Sequence, residues 1–465
     1  MTASCLMVQG TASGVGKSLL TAAFCRIFSR QGYRVAPFKA QNMALNAAVT
    51  ADGCEIGRAQ AAQAEAAGVE PTVDMNPILL KPEGEDCSQV VVRGRPIGRL
   101  TFREYGAQRG ALLAVVAESL ARLRAAHDLV IIEGAGSPAE INLSAGEIVN
   151  MRIARLADAP VVLVGDIDRG GVFAAFVGTL ALLEPDDRAR VAGFVVNKFR
   201  GNLALLAPGL DMLYERTGVP VLGVVPYLER GLVPAEDSLD LDDAAPASGG
   251  ARLDIVVVRP PRIANFDDVE PLAHEPGVRV RFATSPSHLV GADLLIVPGS
   301  KSTIADLAWL RENRLADALI AAARAGTPLI GLCGGYQMLG RALEDPDGVE
   351  SSVTTAAGLG LLPVVTTFGA TKRTVRVHAR VIAEVGPLAA VRGQTIEGYE
   401  IHMGTTRVEG AGAPFSILDW LATRTGVAAD PRWGQRESAT ARYDRLADAV
   451  AAAVDLKTIS ALIGL

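Results

Sequence analysis

The chain has 465 residues, about half of them apolar, few aromatic, and a formal net charge of −6. That length exceeds one ordinary core and predicts two or three domains, and an Ala- and Gly-rich, aromatic-poor chain suits α/β layers better than a β-sandwich. A mildly acidic chain is not set up to track nucleic acid or an anionic membrane, no apolar run is long enough to span a bilayer, and no leader is evident, so the expectation is a soluble cytoplasmic protein.

The opening run Cys5–Gly10 reads as a buried first strand. It ends in Gly10-Thr-Ala-Ser-Gly-Val-Gly-Lys-Ser18, and an amphipathic helix follows. A glycine-rich turn at a helix N-terminus aims backbone N–H groups at a phosphate. This makes Gly10, Thr11, Ser13, Gly14, Val15 and Gly16 candidates for cradling a nucleotide. Lys17 supplies a point charge to the β/γ-phosphates, and Ser18 a hydroxyl for Mg²⁺. The usual pattern has glycine where Thr11 stands, so this is a variant P-loop. A plain strand–helix turn with an exposed lysine is the bland alternative. Strand context, three glycines and Lys17-Ser18 together weigh against it.

Further apolar runs, RVAPFK, LVIIEGAG, PVVLVGDI, VAGFVVNK and VPVLGVVPY, read as buried strands alternating with Ala-rich helices. This is the rhythm of a doubly wound parallel sheet. Catalytic groups in such folds sit at strand ends. Glu133 is therefore a candidate Mg²⁺ or catalytic carboxylate. Asp166 and Asp168 follow the next strand, where a structural turn role weighs equally. Asn197-Lys198 resembles an adenine-binding strand end, a weak signal alone.

A polar stretch, Asp240–Gly250, reads as a linker between residues 1–239 and a second α/β domain over 251–438. There the rhythm restarts with RLDIVVVRP, VRVRFATS, ADLLIVPGS and TPLIGLCGG. A C-terminal helix and tail are expected over 439–465.

The five cysteines, Cys5, Cys25, Cys54, Cys87 and Cys333, show no metal-ligand spacing. Cys333 stands out. Pro328-Leu-Ile-Gly-Leu-Cys-Gly-Gly-Tyr-Gln337 places it on a sharp strand-to-helix turn, where the helix N-terminus favours the thiolate and the Gly334 N–H can bind an oxyanion. Pro298-Gly-Ser-Lys301 is a second candidate oxyanion loop. A buried structural cysteine is the alternative, but flanking glycines fit an elbow. The motif resembles the nucleophile elbow of class I glutamine amidotransferases, which release ammonia from glutamine through a thioester.

The Gly10–Ser18 loop resembles that of dethiobiotin synthetase and its relatives. Lys39-Ala-Gln-Asn-Met-Ala-Leu-Asn46, Asn76-Pro-Ile-Leu-Leu-Lys-Pro82, the run from Glu133 to Asn142 (EGAGSPAEIN) and Asp168-Arg-Gly-Gly171 narrow the resemblance to the cobyric acid synthases, over nearly the whole chain. The resemblance implies a P-loop domain followed by a class I glutamine amidotransferase-like domain. It implies ATP and Mg²⁺ as cofactors, a corrinoid substrate (adenosylcobyrinic acid a,c-diamide) and glutamine. The reaction would be four successive amidations. Lys39, Gln41, Asn42, Lys81, Asp168 and Arg169 are then candidates for holding the corrinoid carboxylate, and Gly334 and Gln337 for holding glutamine.

A cysteine nucleophile needs a base. The chain has five histidines: His127, His274, His288, His378 and His402. The resemblance places the family's base in a late strand like Gly-Thr-Tyr-Leu-His-Gly, which is missing here. The chain passes from Gly398-Tyr-Glu-Ile-His-Met-Gly404 through PFSILD to WLATRTG, as if truncated after about 418. His402 is the candidate substitute base, although in the family it belongs to another motif. The glutaminase half is expected to be impaired. Two rivals remain at this point. One is a different ATP-dependent amidase, such as the a,c-diamide synthase or a cell-wall amidotransferase. The other is a P-loop switch ATPase, which the Cys333 elbow argues against.

Overall fold

The computed structural model describes residues 2–84, 86–142, 146–229, 231–234, 252–380, 392–408 and 437–465. The linker expected at 240–250 and the PFSILD and WLATRTG stretches lie outside them. The chain forms two compact units.

The first comprises Met1–Ala44, Cys54–Glu236 and Glu437–Leu465. Its centre is a six-stranded parallel sheet in the order Val221–Pro226, Val191–Phe199, Val161–Asp166, Ser4–Gly10, Leu129–Glu133, Val35–Phe38. Most of these strands are buried along their length, so they read as unbroken apolar runs. Register decides what meets at their carboxyl ends. Val8 pairs with Glu133, Gly10 with Val164 and Asp166 with Asn197, so the loops after four strands open side by side. The helix Lys17–Arg30 buries Leu20, Phe24, Ile27 and Phe28 at the three-to-four-residue spacing of one face.

A second sheet joins Gln41–Met43, Ile78–Pro82, Cys87–Val92 and Arg95–Thr101. No strand is expected there from the sequence, where Asn76–Pro82 is read only as a motif. Arg95–Thr101 is an exposed edge strand carrying Arg, Pro and Gly, which mask the pattern.

The helix Ala439–Ala451 packs on the nucleotide side of the chain, against Lys17–Arg30. The Arg26 Nε meets Asp444 at 2.8 Å, and the buried Tyr443 donates to Glu65 Oε2 at 3.2 Å. The stretch beyond it, expected as a tail, holds a second helix, Leu456–Leu462. Tyr443→Ala is expected to destabilise this unit by about 3–5 kcal/mol, the usual cost of emptying a core aromatic site. A urea titration of the nucleotide unit's unfolding checks it, and a midpoint unchanged from that of the unmutated chain refutes it.

The second unit comprises Leu45–Gly53 and Asp237–Arg436. A parallel sheet orders Val278–Ala283, Leu253–Val258, Leu294–Val297 and Leu329–Gly331. A further sheet carries a long antiparallel ribbon, Val364–Arg380 with Thr395–Val408, interrupted by a bulge between Phe368 and Arg373. Ala47 and Val49 belong to this unit through Asn265 and Arg376, whose side chains bond their backbone at 3.0 and 2.9 Å.

Candidate active sites

In the first unit the phosphate loop turns on Gly14 (φ 70°) and Gly16 (φ 103°), both in the left-handed region. A side chain at Gly16 would strike Asn197. Asn197 is buried and donates to the Val15 carbonyl at 2.8 Å, while Lys198 Nζ donates to the Gly14 carbonyl at 2.8 Å and pairs with Asp166 at 2.8 Å. The strand end expected near adenine thus braces the phosphate loop from behind. Lys17 Nζ donates to the carbonyls of Ala12 at 2.9 Å and Gly136 at 3.1 Å, tying the loop to the turn after Glu133. In that turn the Asn150 amide brackets Ala135, donating to its carbonyl at 2.7 Å and accepting its N–H at 3.1 Å.

Glu133 is the convergence point. Its side chain is fully buried, and Oε1 accepts from Ser18 Oγ at 2.8 Å and from Lys39 Nζ at 2.9 Å, while Oε2 accepts from Gln63 Nε2 at 2.5 Å. The phosphate loop, the Lys39 motif and a helix amide therefore meet on one carboxylate. A buried charge needs such compensation, and losing any one donor leaves it exposed to desolvation cost. The Ser18 hydroxyl and the Glu133 carboxylate are the hard oxygen donors that Mg²⁺ takes, so the residues fit that ion.

The other candidates occupy neighbouring polar positions. Asn42 donates to Gln60 at 3.0 Å, Asn76 donates to the Lys39 carbonyl at 3.2 Å, and the Tyr105 hydroxyl donates to Gln41. Lys81 is buried and ion-paired with Glu55, a partner the sequence does not announce. Asp168 lies exposed on its turn beside Arg200 at 3.2 Å, and Arg169 is exposed next to it. Gln60 and Gln63 escape motif reading. The available signal is two amides three apart on a helix, RAQAAQAEAA, that is otherwise largely alanine.

In the second unit Cys333 has φ 46° and ψ −113°, a backbone conformation disfavoured for any residue with a side chain and the mark of a nucleophile elbow. Gly335 packs so tightly on the Val297 carbonyl that no side chain fits. The exposed Cys333 thiol lies 3.9 Å from the Ile401 carbonyl, one residue from His402. The Gly404 carbonyl accepts from His402 Nδ1 at 2.7 Å, which leaves Nε2 as the basic nitrogen, 3.7 Å from Glu400. A side-chain carbon placed on Gly299 would stand 3.7 Å from the Cys333 Cβ, so the Pro298–Lys301 loop borders the elbow. Gln337 is buried, with Thr303 Oγ1 donating to it at 3.5 Å. His274 bonds its own helix at the Glu270 carbonyl, and His378 sits on the ribbon opposite Glu397.

No group of three or more His, Cys, Asp or Glu able to hold a metal occurs among the described residues. Nor is any described helix long and apolar enough to cross a membrane.

Residues 6–237 match the CobQ/CobB/MinD/ParA nucleotide binding domain, and residues 254–436 match the CobB/CobQ-like glutamine amidotransferase domain. A cobyric acid synthase of Sorangium cellulosum is 56% identical, with 100% of this chain and 99% of the relative aligned. That alignment runs over 518 positions against 465 residues here, so the relative has residues without counterpart in this chain. Cobyric acid synthases of Pelotomaculum thermopropionicum (47% identical, 100% of this chain, 97% of the relative) and Dehalococcoides mccartyi (52%, 89% and 82%) match as well. A solved glutamine amidotransferase, 22% identical, aligns with 34% of this chain and 75% of its own at a TM-score of 0.25, too distant to bear on the assignment. The chain belongs to the cobyric acid synthase family, amide ligases of cobalamin biosynthesis.

Proposed function

We infer that the chain amidates the b, d, e and g carboxylates of adenosylcobyrinic acid a,c-diamide to give cobyric acid, using ATP with Mg²⁺ and taking nitrogen from glutamine or ammonia. The observation that carries this reading is the meeting of Ser18, Lys39 and Gln63 on Glu133 beside the phosphate loop. A carboxylate is a poor acyl donor until phosphorylation makes its oxygen a leaving group, after which ammonia displaces phosphate. The loop amides and Lys17 bind the nucleotide, and Lys39 supplies positive charge where the activated carboxylate forms. Ser18 and Glu133 would hold Mg²⁺, which neutralises phosphate charge. Cys333 is the nucleophile toward glutamine, with Gly334 N–H at the oxyanion and Gln337 beside it. The localisation expected from this chemistry is cytoplasmic.

Incubation with ATP, Mg²⁺, ammonium salt and the diamide, followed by mass spectrometry, tests the reading. Four successive ATP-dependent amidations are the expected result. Amidation of cobyrinic acid to its a,c-diamide instead identifies the rival synthase. Glu133→Gln is expected to lower the ammonia-dependent kcat by about 10²–10³-fold with the fold intact, the scale seen when a preorganised charge is removed from a reaction centre. A near-normal rate with unchanged Mg²⁺ dependence in that variant makes Glu133 a turn residue.

A further inference from the structure

Behind the glutamine site lies a buried carboxylate that the reaction does not use. Asp306, on the helix Thr303–Glu312, has no exposed surface. Its Oδ2 accepts from Ser300 Oγ at 2.6 Å, its N–H donates to the Ser302 carbonyl at 2.9 Å, and the Arg262 guanidinium stands 3.7 Å from Oδ1. Ser300 Oγ in turn accepts the Ser302 N–H at 3.0 Å. Burial pushes Asp306 up to about 6, against the opposing pull of Ser300 and Arg262.

Ser300 pairs with Ile263 in a short antiparallel ladder, Gly299–Ser300 on Ile263–Ala264. The next N–H, of Lys301, donates to the Arg262 carbonyl at 2.9 Å. Exchanging and non-exchanging pairs alternate along an antiparallel ladder, so the Ser300–Ile263 pair is of the non-exchanging kind and the Ser300 N–H turns out of the ladder. Ser300 N borders the elbow: a side-chain carbon placed on Gly334 would lie 3.0 Å from it. The helix that carries Asp306 is itself pinned, since Glu350 accepts from Thr303 N–H at 2.7 Å and Ile304 N–H at 3.3 Å, and Asp345 holds the Glu350 N–H at 2.8 Å.

We propose that Asp306 is a positioning residue for glutamine hydrolysis: through the Ser300 hydroxyl it fixes the Ser300 N–H as the second oxyanion donor, beside that of Gly334. The proposal rests on the reading of Cys333 as nucleophile. Losing the Asp306 carboxylate or the Ser300 hydroxyl that bonds it lets the Gly299–Ser300 backbone drift from the elbow, and oxyanion donors work only when held in place before the charge develops.

Two thiol reagents separate this role from a merely structural one. With iodoacetamide the Cys333 thiolate displaces iodide at a saturated carbon, and no oxyanion forms. With the chloromethyl ketone analogue of glutamine the thiolate first adds to the carbonyl and then displaces chloride, so the rate draws on the oxyanion donors. In Asp306→Asn and in Ser300→Ala the chloroketone rate at Cys333 is expected to fall about tenfold or more while the iodoacetamide rate holds, and Ser300→Thr is expected to restore it. A urea titration with the second unit's transition at the unmutated midpoint reports that each variant is folded. An unchanged ratio of the two rates overturns the proposal, and so does an equal fall in both, which would mean that Asp306 supports the elbow itself. If the unmutated chain resists the chloroketone at Cys333 while iodoacetamide reacts there, the nucleophile reading fails and takes the proposal with it.

Discussion

Lys17→Ala is expected to abolish amide formation with ammonia and with glutamine alike, a fall on the order of 10³-fold or more, the scale of losing a charged group preorganised at a reacting phosphate. The argument has two parts. Phosphate activation of the carboxylate precedes any attack by nitrogen, so the source of nitrogen is irrelevant to a lesion at the phosphate loop. Lys17 also links two strand-end loops through the Ala12 and Gly136 carbonyls, at 2.9 and 3.1 Å, so its loss removes both the charge and a tie between the loop and the Glu133 turn. The measurement is product formation under saturating ATP with each nitrogen source, alongside nucleotide binding by titration. Ammonia-dependent turnover at the unmutated rate would sink the P-loop assignment.

The second large effect concerns the nitrogen source. This chain is expected to use ammonia far better than glutamine, by about 10²–10⁴-fold, the usual worth of general acid–base catalysis. The elbow at Cys333 is formed, but the late strand in which the family resemblance places the base has no counterpart in the sequence. Without an imidazole the thiol relies on the helix N-terminus alone to ionise, and nothing protonates the departing ammonia. His402 is the competing candidate. Its strand reaches the thiol through the Ile401 carbonyl, and its Nε2 is the basic nitrogen. Amide formation is to be compared with saturating glutamine and with ammonium salt, for the unmutated chain and for His402→Ala. Efficient glutamine use by the unmutated chain refutes the impaired-glutaminase reading. Loss of that use in His402→Ala then assigns His402 to the glutamine site, as base or as binding group.

The large-scale architecture was legible because parallel strands buried on both faces need unbroken apolar runs, and the six runs from CLMVQG to VPVLGVVPY are the six strands of one sheet. The ladder through Cys87–Val92 and Arg95–Thr101 was not legible, because an exposed edge strand needs no apolar face and glycine at 98 breaks the alternation. Within the candidate sites, Ser18, Lys39 and Glu133 each follow or open a recognisable strand end, and tertiary packing brings them together. Gln63 acts from a helix interior and Asp306 from the first turn of its helix, where an amide or carboxylate looks like any solvated polar residue until burial is known. Lys81 shows the reverse. Its motif marks the position, but only the fold reveals that Glu55 neutralises it.

The helix that carries Tyr443 has a consequence for biosynthesis. The nucleotide unit closes its core with residues that follow the whole second unit in the chain. A ribosome therefore makes the complete 252–436 region before the core around Phe24 and Phe28 can be closed, and the first half emerges as a nascent intermediate with open apolar surface prone to aggregate. Gene fission at the boundary near residue 237 would strand that half in the same state. The nucleotide unit thus depends on one reading frame running through the second unit to residues 437–465.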